Sequence, residues 1–224
     1  MVASSFAADY FLVPKVKEES IGGKYNARIV ITEKAGEIIW SEIVYTKEGI
    51  EHKGYYGFEF KNALEWTRAN TPENAIFLSW WDYGHMISGY AGREAIIKNP
   101  SHEALESVAN PKDILEFDPH ERLVEVAKAL TATDVNFTKS IMSKYNANYI
   151  FVTLEDGGAK APWLFRYAEL KSTDYMSPSS STFNSKDYTE LGKQTLLYKL
   201  LSNSYLERFT LVYSDENVKI FKSS

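Results

Sequence analysis

Three adjacent side chains, Trp80, Trp81 and Asp82, form the grouping in this sequence best suited to holding a ligand. Two indoles supply two N–H donors and no acceptor, an ionised carboxylate supplies only acceptors, and an aliphatic hydroxyl has one proton and two lone pairs. Two donors and one acceptor therefore saturate one hydroxyl. A desolvated pocket of this kind rejects a ligand without the hydroxyl, because its own polar groups would be left unpaired. In the plainer alternative both tryptophans are core aromatics and Asp82 caps a turn.

The apolar run Ala75-Ile76-Phe77-Leu78 reads as a strand that delivers this motif, and Tyr83-Gly84 reads as the turn that ends it. Neighbours on a regular strand face opposite ways, so the three side chains converge only if the backbone turns within the motif. Upstream, Phe60 to Ala69 has a helical pattern that Asn70-Thr71-Pro72 stops. Downstream, Glu94 to Lys98 resembles a strand, and Asn99-Pro100-Ser101 opens a helix to about Ala109. Asp118-Pro119-His120-Glu121 is a helix start with Asp118 as N-cap, leading to the periodic Leu123, Val126, Ala127 and Leu130.

A further helix from Thr133 is expected to place Phe137, Ile141 and Tyr145 on one face, before a strand over residues 148–153. Residues 172–187 read as a mobile surface loop, residues 187–204 as a helix, and residues 209–222 as a closing hairpin. Near the start, Arg28 to Thr32 and Glu37 to Tyr45 are β-rich around a Glu33-Lys34-Ala35-Gly36 loop, and Gly49, Gly54 and Gly57 punctuate a loop before a boundary near residue 58. The fold class expected is mixed α/β (α+β). It has a largely helical core with a small sheet carrying the motif turn in residues 59–224, and a β-hairpin region in residues 1–58.

Composition narrows the function. The 224 residues are 44% hydrophobic and 14% aromatic, ample for a core. A net charge of −5 without a Lys/Arg cluster argues against nucleic acid as a partner. Cysteine is absent, which excludes disulfides, thiolate metal sites and cysteine nucleophiles. His52, His85, His102 and His120 show no paired metal spacing. His85 follows the motif and is read as a solvated turn residue or, less simply, as part of the same groove. No run reaches the length of a membrane span, and the expectation is a soluble chain.

The string Trp80-Trp81-Asp82-Tyr83-Gly84 resembles the signature of the catalytic subunit of asparagine-linked oligosaccharyltransferase. Ala63-Leu64-Glu65-Trp66, Asn70-Thr71-Pro72, Ile87-Ser88-Gly89-Tyr90, Asn99 and the ending Val212-Tyr213-Ser214 with Val218-Lys219-Ile220-Phe221 resemble the framing of that subunit's C-terminal soluble domain, of the archaeal type, over roughly residues 60–224.

The resemblance implies that Trp80, Trp81 and Asp82 grip the Ser or Thr of an Asn-X-Ser/Thr acceptor, with Tyr83 and Gly84 shaping the turn. It implies a parent glycosyltransferase on the extracellular face of the cell membrane that uses a lipid-linked oligosaccharide. The divalent metal, Mn or Mg, and the catalytic acids would lie in membrane-embedded loops outside this chain. The fragment itself is then a reader of acceptor polypeptide, with no catalytic residue and no metal site. Val2 to Val13 would be the remnant of the last membrane helix.

Family members also carry an Asp and a Lys on a kinked helix, and an aliphatic residue that touches the threonine methyl. The matching stretch here runs from Asp156 to Tyr167, with Lys160, Trp163 and Arg166 at resembling positions. It departs in its spacing, with four residues from Asp156 to Lys160 instead of three, and in having Tyr167 or Ala168 where isoleucine is expected. Leu164, Tyr167 or Ala168 could each meet a methyl; alternatively Trp163 and Leu164 are core. A rival function is a carbohydrate-binding or glycoside-hydrolase module, in which Trp80 and Trp81 stack on sugar rings and Asp82 is an acid or base near a second carboxylate. The chain has its own sequon, Asn136-Phe137-Thr138, in an expected first helical turn.

Overall fold

The computed structural model of the protein describes residues 13–106, 116–177, 180–204 and 206–224. The first elements form an antiparallel meander: β1 (Lys15–Gly22), β2 (Ala27–Lys34), β3 (Glu37–Lys47) and β4 (Ile50–Tyr55) pair in chain order. The β2–β3 hairpin is the one expected, closed by Ala35 and Gly36, both with positive φ. Its alternation buries Ile29, Ile31, Ile43 and Tyr45 on one face. β4 was missed in the sequence because its composition, Ile-Glu-His-Lys-Gly-Tyr, has no apolar alternation. It is an edge strand paired only with β3.

The second sheet is built from β5 (Ile76–Leu78), β6 (Glu94–Ala95), β7 (Tyr149–Thr153), β8 (Phe209–Ser214) and β9 (Val218–Ser223), in the order β6-β5-β7-β9-β8. β5 runs parallel to β6 and β7, while β9 is antiparallel to β7 and β8. Every residue of β7 is buried, as suits a central strand covered on both faces.

Around this sheet lie α1 (Lys61–Asn70), α2 (Gly84–Gly89), α3 (His102–Glu106), α4 (His120–Thr131), α5 (Val135–Lys144), α6 (Ala161–Tyr167), α7 (Ser172–Tyr175) and α8 (Leu196–Leu201). The mixed α/β class is as expected, and among the described residues no helix is long and apolar enough to cross a membrane. One hydrophobic core includes Ile29, Ile43 and Tyr45 of the meander together with Phe77 and Ile150 of the second sheet. α2 packs closely on β3: a Cβ on Gly89 would lie 2.6 Å from the Tyr45 ring and 2.9 Å from Ile43.

Several local expectations change. Asp118 does not cap α4; its carboxylate accepts from the backbone N–H groups of Lys98 and Asn99, each at 2.8 Å, and helix α4 starts after Pro119. In α5, Thr138, Ile141 and Met142 face inward and Phe137 is exposed. The helix expected over 187–204 has a 3-10 turn at Gly192–Gln194 and is α-helical only over Leu196–Leu201, where the Thr195 hydroxyl accepts from the Tyr198 N–H. The expected loop over 172–187 is pinned by α7, by fully buried Met176 and by its bridge to Tyr188. Residues 2–12, read as a membrane-helix remnant, and 107–109, read as the end of a helix, lie outside the described residues.

Candidate functional site

β5 ends at Leu78, Trp80 keeps an extended backbone (φ −65°, ψ 151°), and Trp81–Tyr83 coil into a 3-10 turn that runs straight into α2. The backbone therefore turns inside the motif, as convergence of its side chains requires. Two features hold the turn. A Cβ on Gly84 would sit 2.2 Å from the Ile97 carbonyl oxygen and 2.5 Å from Lys98 Cα, so only glycine lets these two chain segments approach. Tyr83, fully buried, reaches across to β7, where its oxygen lies 2.7 Å from Thr153 Oγ1 and its O–H donates to Asp156 Oδ1 at 3.1 Å.

Asp156 closes the network by accepting from the Thr153 N–H at 2.9 Å. Burial pushes its carboxyl up to about 6, although the nearby Lys160 ammonium opposes the rise. Lys160 donates to Tyr83 Oη at 2.9 Å and pairs with Asp82 Oδ2 at 2.9 Å and Glu155 Oε2 at 3.1 Å. Burial works against its charge, but Asp82, Asp156 and Glu155 outweigh it and hold the ammonium above the usual lysine range. Burial also raises the Asp82 carboxyl above its ordinary value, against the pull of Lys160. The acid pair Glu155-Asp156, read as a surface feature, is half in the interior: Asp156 is completely buried.

The structure thus brings the motif and the second stretch together at one place. A cavity of about 260 Å³ is lined by Trp80, Trp81, Asp82, Lys160, Trp163 and Tyr167, with Pro100, Ala104 and Leu105 on the far wall. Trp80 is 2% exposed and its ring lies 5.9 Å from that of Tyr167. Among the described residues neither indole N–H and no partner for Asp82 Oδ1 enters a hydrogen bond, which leaves two donors and one acceptor at the cavity.

Of the three apolar candidates for a methyl contact, only Tyr167 lines this space; Leu164 and Ala168 are buried in the core. Trp163, the other suggested core residue, is 40% exposed and also faces the cavity. The wall from Pro100 and α3 was not legible in the sequence, where these residues read only as a helix start.

On the other side of the motif Trp81 and Asp82 also border a groove of about 930 Å³, lined by Trp40 and Glu42 of β3, all of β4, and His85, Lys98, Asn99, Pro100 and Glu116. His85 is not a solvated turn residue: it is 5% exposed, with Nδ1 3.1 Å from Tyr45 Oη and Nε2 2.8 Å from Asn99 Oδ1. Burial lowers its pKa to about 4, so it is neutral, donating from Nε2 to Asn99 and accepting from Tyr45. Among the described residues no three His, Asp or Glu side chains gather to hold a metal ion.

Comparison with known proteins puts this geometry in context. No protein-family model matches the chain. The dolichyl-diphosphooligosaccharide–protein glycosyltransferase subunit stt3 of Schizosaccharomyces pombe is 24% identical over 155 residues, which is 63% of this chain and 18% of that protein. The chain thus spans under a fifth of that relative's length.

Among solved structures, the C-terminal globular domain of an oligosaccharyltransferase from Archaeoglobus fulgidus is similar with a TM-score of 0.55 and 22% identity, covering 75% of this chain and 99% of that one. An A. fulgidus oligosaccharyltransferase tethered by a disulfide to an acceptor peptide containing an NVT sequon is similar with a TM-score of 0.50 and 19% identity, over 71% of this chain and 24% of that one. The fold is therefore that of the C-terminal globular domains of archaeal oligosaccharyltransferases.

Proposed function

We propose that this chain is the acceptor-reading part of an oligosaccharyltransferase, the parent enzyme transferring a lipid-linked oligosaccharide to the asparagine of Asn-X-Ser/Thr. The observation that carries the reading is the cavity itself: Trp80, Trp81 and Asp82 line it together while two indole N–H groups and one carboxylate oxygen have no partner among the described residues. A Ser or Thr hydroxyl accepts from the indoles and donates to Asp82 Oδ1. Lys160, already on Oδ2, stabilises the ionised carboxylate against the effect of burial. The Tyr167 ring offers an apolar surface for a threonine methyl.

Asp156 serves as a positioning residue. It holds Tyr83 and, through it and Lys160, sets the orientation of Asp82. The transfer chemistry, with the metal and the lipid-linked donor, belongs to the rest of the parent on the outer face of a membrane. The similar proteins whose names include glycosyltransferase activity or an acceptor peptide support that assignment.

The sugar-stacking rival needs both indole faces open to a ring, and while Trp81 is half-buried, Trp80 at 2% exposure has no open face. Its second carboxylate, Glu155, shares the Lys160 ammonium with Asp82 and so is not placed as a free acid.

The test is to follow the Trp80 and Trp81 indole N–H resonances while titrating an Asn-X-Thr peptide, with Asn-X-Ala as control. Movement with the threonine peptide alone, abolished in a folded Asp82→Asn variant, is the expected result. Equal movement with both peptides, or with free oligosaccharide only, would sink the hydroxyl-reading mechanism.

A further inference from the structure

β4 is unlike the other sheet edge of the meander. All six of its residues, Ile50 to Tyr55, line the large groove, and residues of both parities take part. Successive side chains point to opposite faces of a sheet, so a cavity touched by both sets runs past the edge itself, and Trp40 and Glu42 of β3 extend it over one face. Among the described residues no backbone N–H or C=O of Ile50–Tyr55 bonds to anything but β3. The edge therefore presents a row of unpaired donors and acceptors to an enclosed space. β1, the opposite edge, faces solvent along its length, with exposed Lys15, Lys17, Glu18 and Glu19.

The groove is also built to keep β4 where it is. Gly54 lies directly over His85: a Cβ there would come within 2.4 Å of the imidazole ring. His85 in turn is fixed by Tyr45 and Asn99, so the strand rests on a buried, neutral, doubly bonded side chain. The facing wall is Trp81, Asp82, Asn99 and Pro100. Trp40, Ile50 and Tyr55 are 50%, 61% and 38% exposed at the groove, where the Trp40 and Tyr55 rings pack on each other and leave an open apolar lining. Trp81 and Asp82 border both the groove and the smaller cavity, so a chain lying along β4 reaches the hydroxyl-reading site without a break.

We propose that the free edge of β4 takes an extended polypeptide by strand addition, and that this strand is the segment of the acceptor adjoining the hydroxyl residue held at Trp80, Trp81 and Asp82. The proposal rests on the acceptor-reading function above. Strand addition binds through main-chain hydrogen bonds and leaves side-chain identity largely unread. That suits a protein whose acceptors share one hydroxyl and one asparagine while their neighbours vary. A six-residue edge spans about 20 Å at the usual strand rise, enough for a flank of about six residues.

The experiment uses the 224-residue chain and three peptides: the bare Asn-X-Thr core, and the core extended by six residues either before the asparagine or after the threonine. Each extended peptide is also made with alternate flanking amides N-methylated, which removes donors and blocks strand pairing without altering side chains. One extension is expected to bind at least tenfold more tightly than the core and to shift the backbone amide resonances of residues 50–55, and N-methylation to cancel both effects.

The inference is overturned if neither extension gains over the core, if the gain survives N-methylation, or if the indole resonances move while those of β4 stay still. The underlying reading is scored separately. If extended Asn-X-Thr and Asn-X-Ala peptides shift β4 equally and no peptide moves the indoles, strand addition stands and the acceptor assignment falls. Silence at every resonance with millimolar peptide removes both.

Discussion

The two hollows that meet at Trp81 and Asp82 are made in opposite ways. Two side chains that wall the smaller one, Asp82 and Lys160, are tied to each other, and Lys160 is tied in turn to a buried network behind the wall: Lys160 to Tyr83, and Tyr83 to Thr153 and Asp156. The larger is walled along one side by β4, whose backbone, among the described residues, pairs with β3 on one side and with nothing on the other. A rigid set of side-chain groups can reject a ligand that lacks one hydroxyl. An unpaired backbone edge can hold many sequences and reject few. Under the proposed function, selectivity and tolerance sit side by side, each in the kind of structure that can supply it.

The comparison is broken most forcefully at Lys160. Replacing it with methionine leaves Asp82, Glu155 and Asp156 without their shared cation, and loss of one partner from a largely buried pair costs about 3–5 kcal/mol. Urea denaturation of Lys160→Met at neutral pH should show a loss of that order. A loss below about 1 kcal/mol would mean that the small cavity is not organised by its charges.

Next in size is a pair of opposed pH effects, one from each hollow. Asp156 has a folded pKa of about 6 against an ordinary 3.8, so between those values the folded state holds more protons and its stability falls by roughly 3 kcal/mol as pH rises. His85 runs the other way: its folded pKa of about 4 lies below the ordinary 6.5, so the unfolded state holds more protons and stability rises by roughly 3 kcal/mol as pH climbs through that window. The two nearly cancel in the intact protein. Asp156→Asn removes one, and its stability should then drop by roughly 3 kcal/mol on acidification from pH 6.5 to 4, beyond any change in the parent. Parallel pH profiles for the two proteins would show that Asp156 is not raised by burial.

The smallest effect belongs to the groove. Trp40→Ala removes a half-exposed ring that packs only on Tyr55, with centroids 5.8 Å apart, and should change stability by no more than about 0.5 kcal/mol. Affinity for an extended peptide should nonetheless fall several-fold, with that of the bare core unchanged. A stability loss of 2 kcal/mol or more would make the groove lining structural.

The sequence disclosed what is contiguous. Trp80, Trp81 and Asp82 are neighbours, so their grouping and the turn inside it could be read directly, as could the apolar run of β7 and the β2–β3 hairpin. Contacts between distant segments could not. The meeting of Asp82 with Lys160, and of Trp80 with Tyr167, depends on how β5 and β7 lie side by side.

Local signals also lost to tertiary ones. Asp118 sits where an N-cap belongs, yet it satisfies the N–H groups of Lys98 and Asn99 and thereby fixes the loop that walls both hollows. Helical spacing placed Phe137 with Ile141, but spacing does not set how a helix is rotated against its core, and Thr138 and Met142 join Ile141 on the inward face while Phe137 is exposed. β4 was illegible for a physical reason: a strand left open for a partner has no buried face along its edge to write an apolar pattern.

Thr138 has one more consequence. It is the hydroxyl residue of the chain's own Asn136-Phe137-Thr138, and it is wholly buried, its O–H donating to the Ala129 carbonyl at 2.8 Å. The Asn136 N–H is likewise engaged, by the Asp134 cap of α5. A site that recognises a free hydroxyl beside an extended backbone finds neither here: folding has hidden the address before it could be read. Under the proposed function, this sequon is readable only before the domain folds.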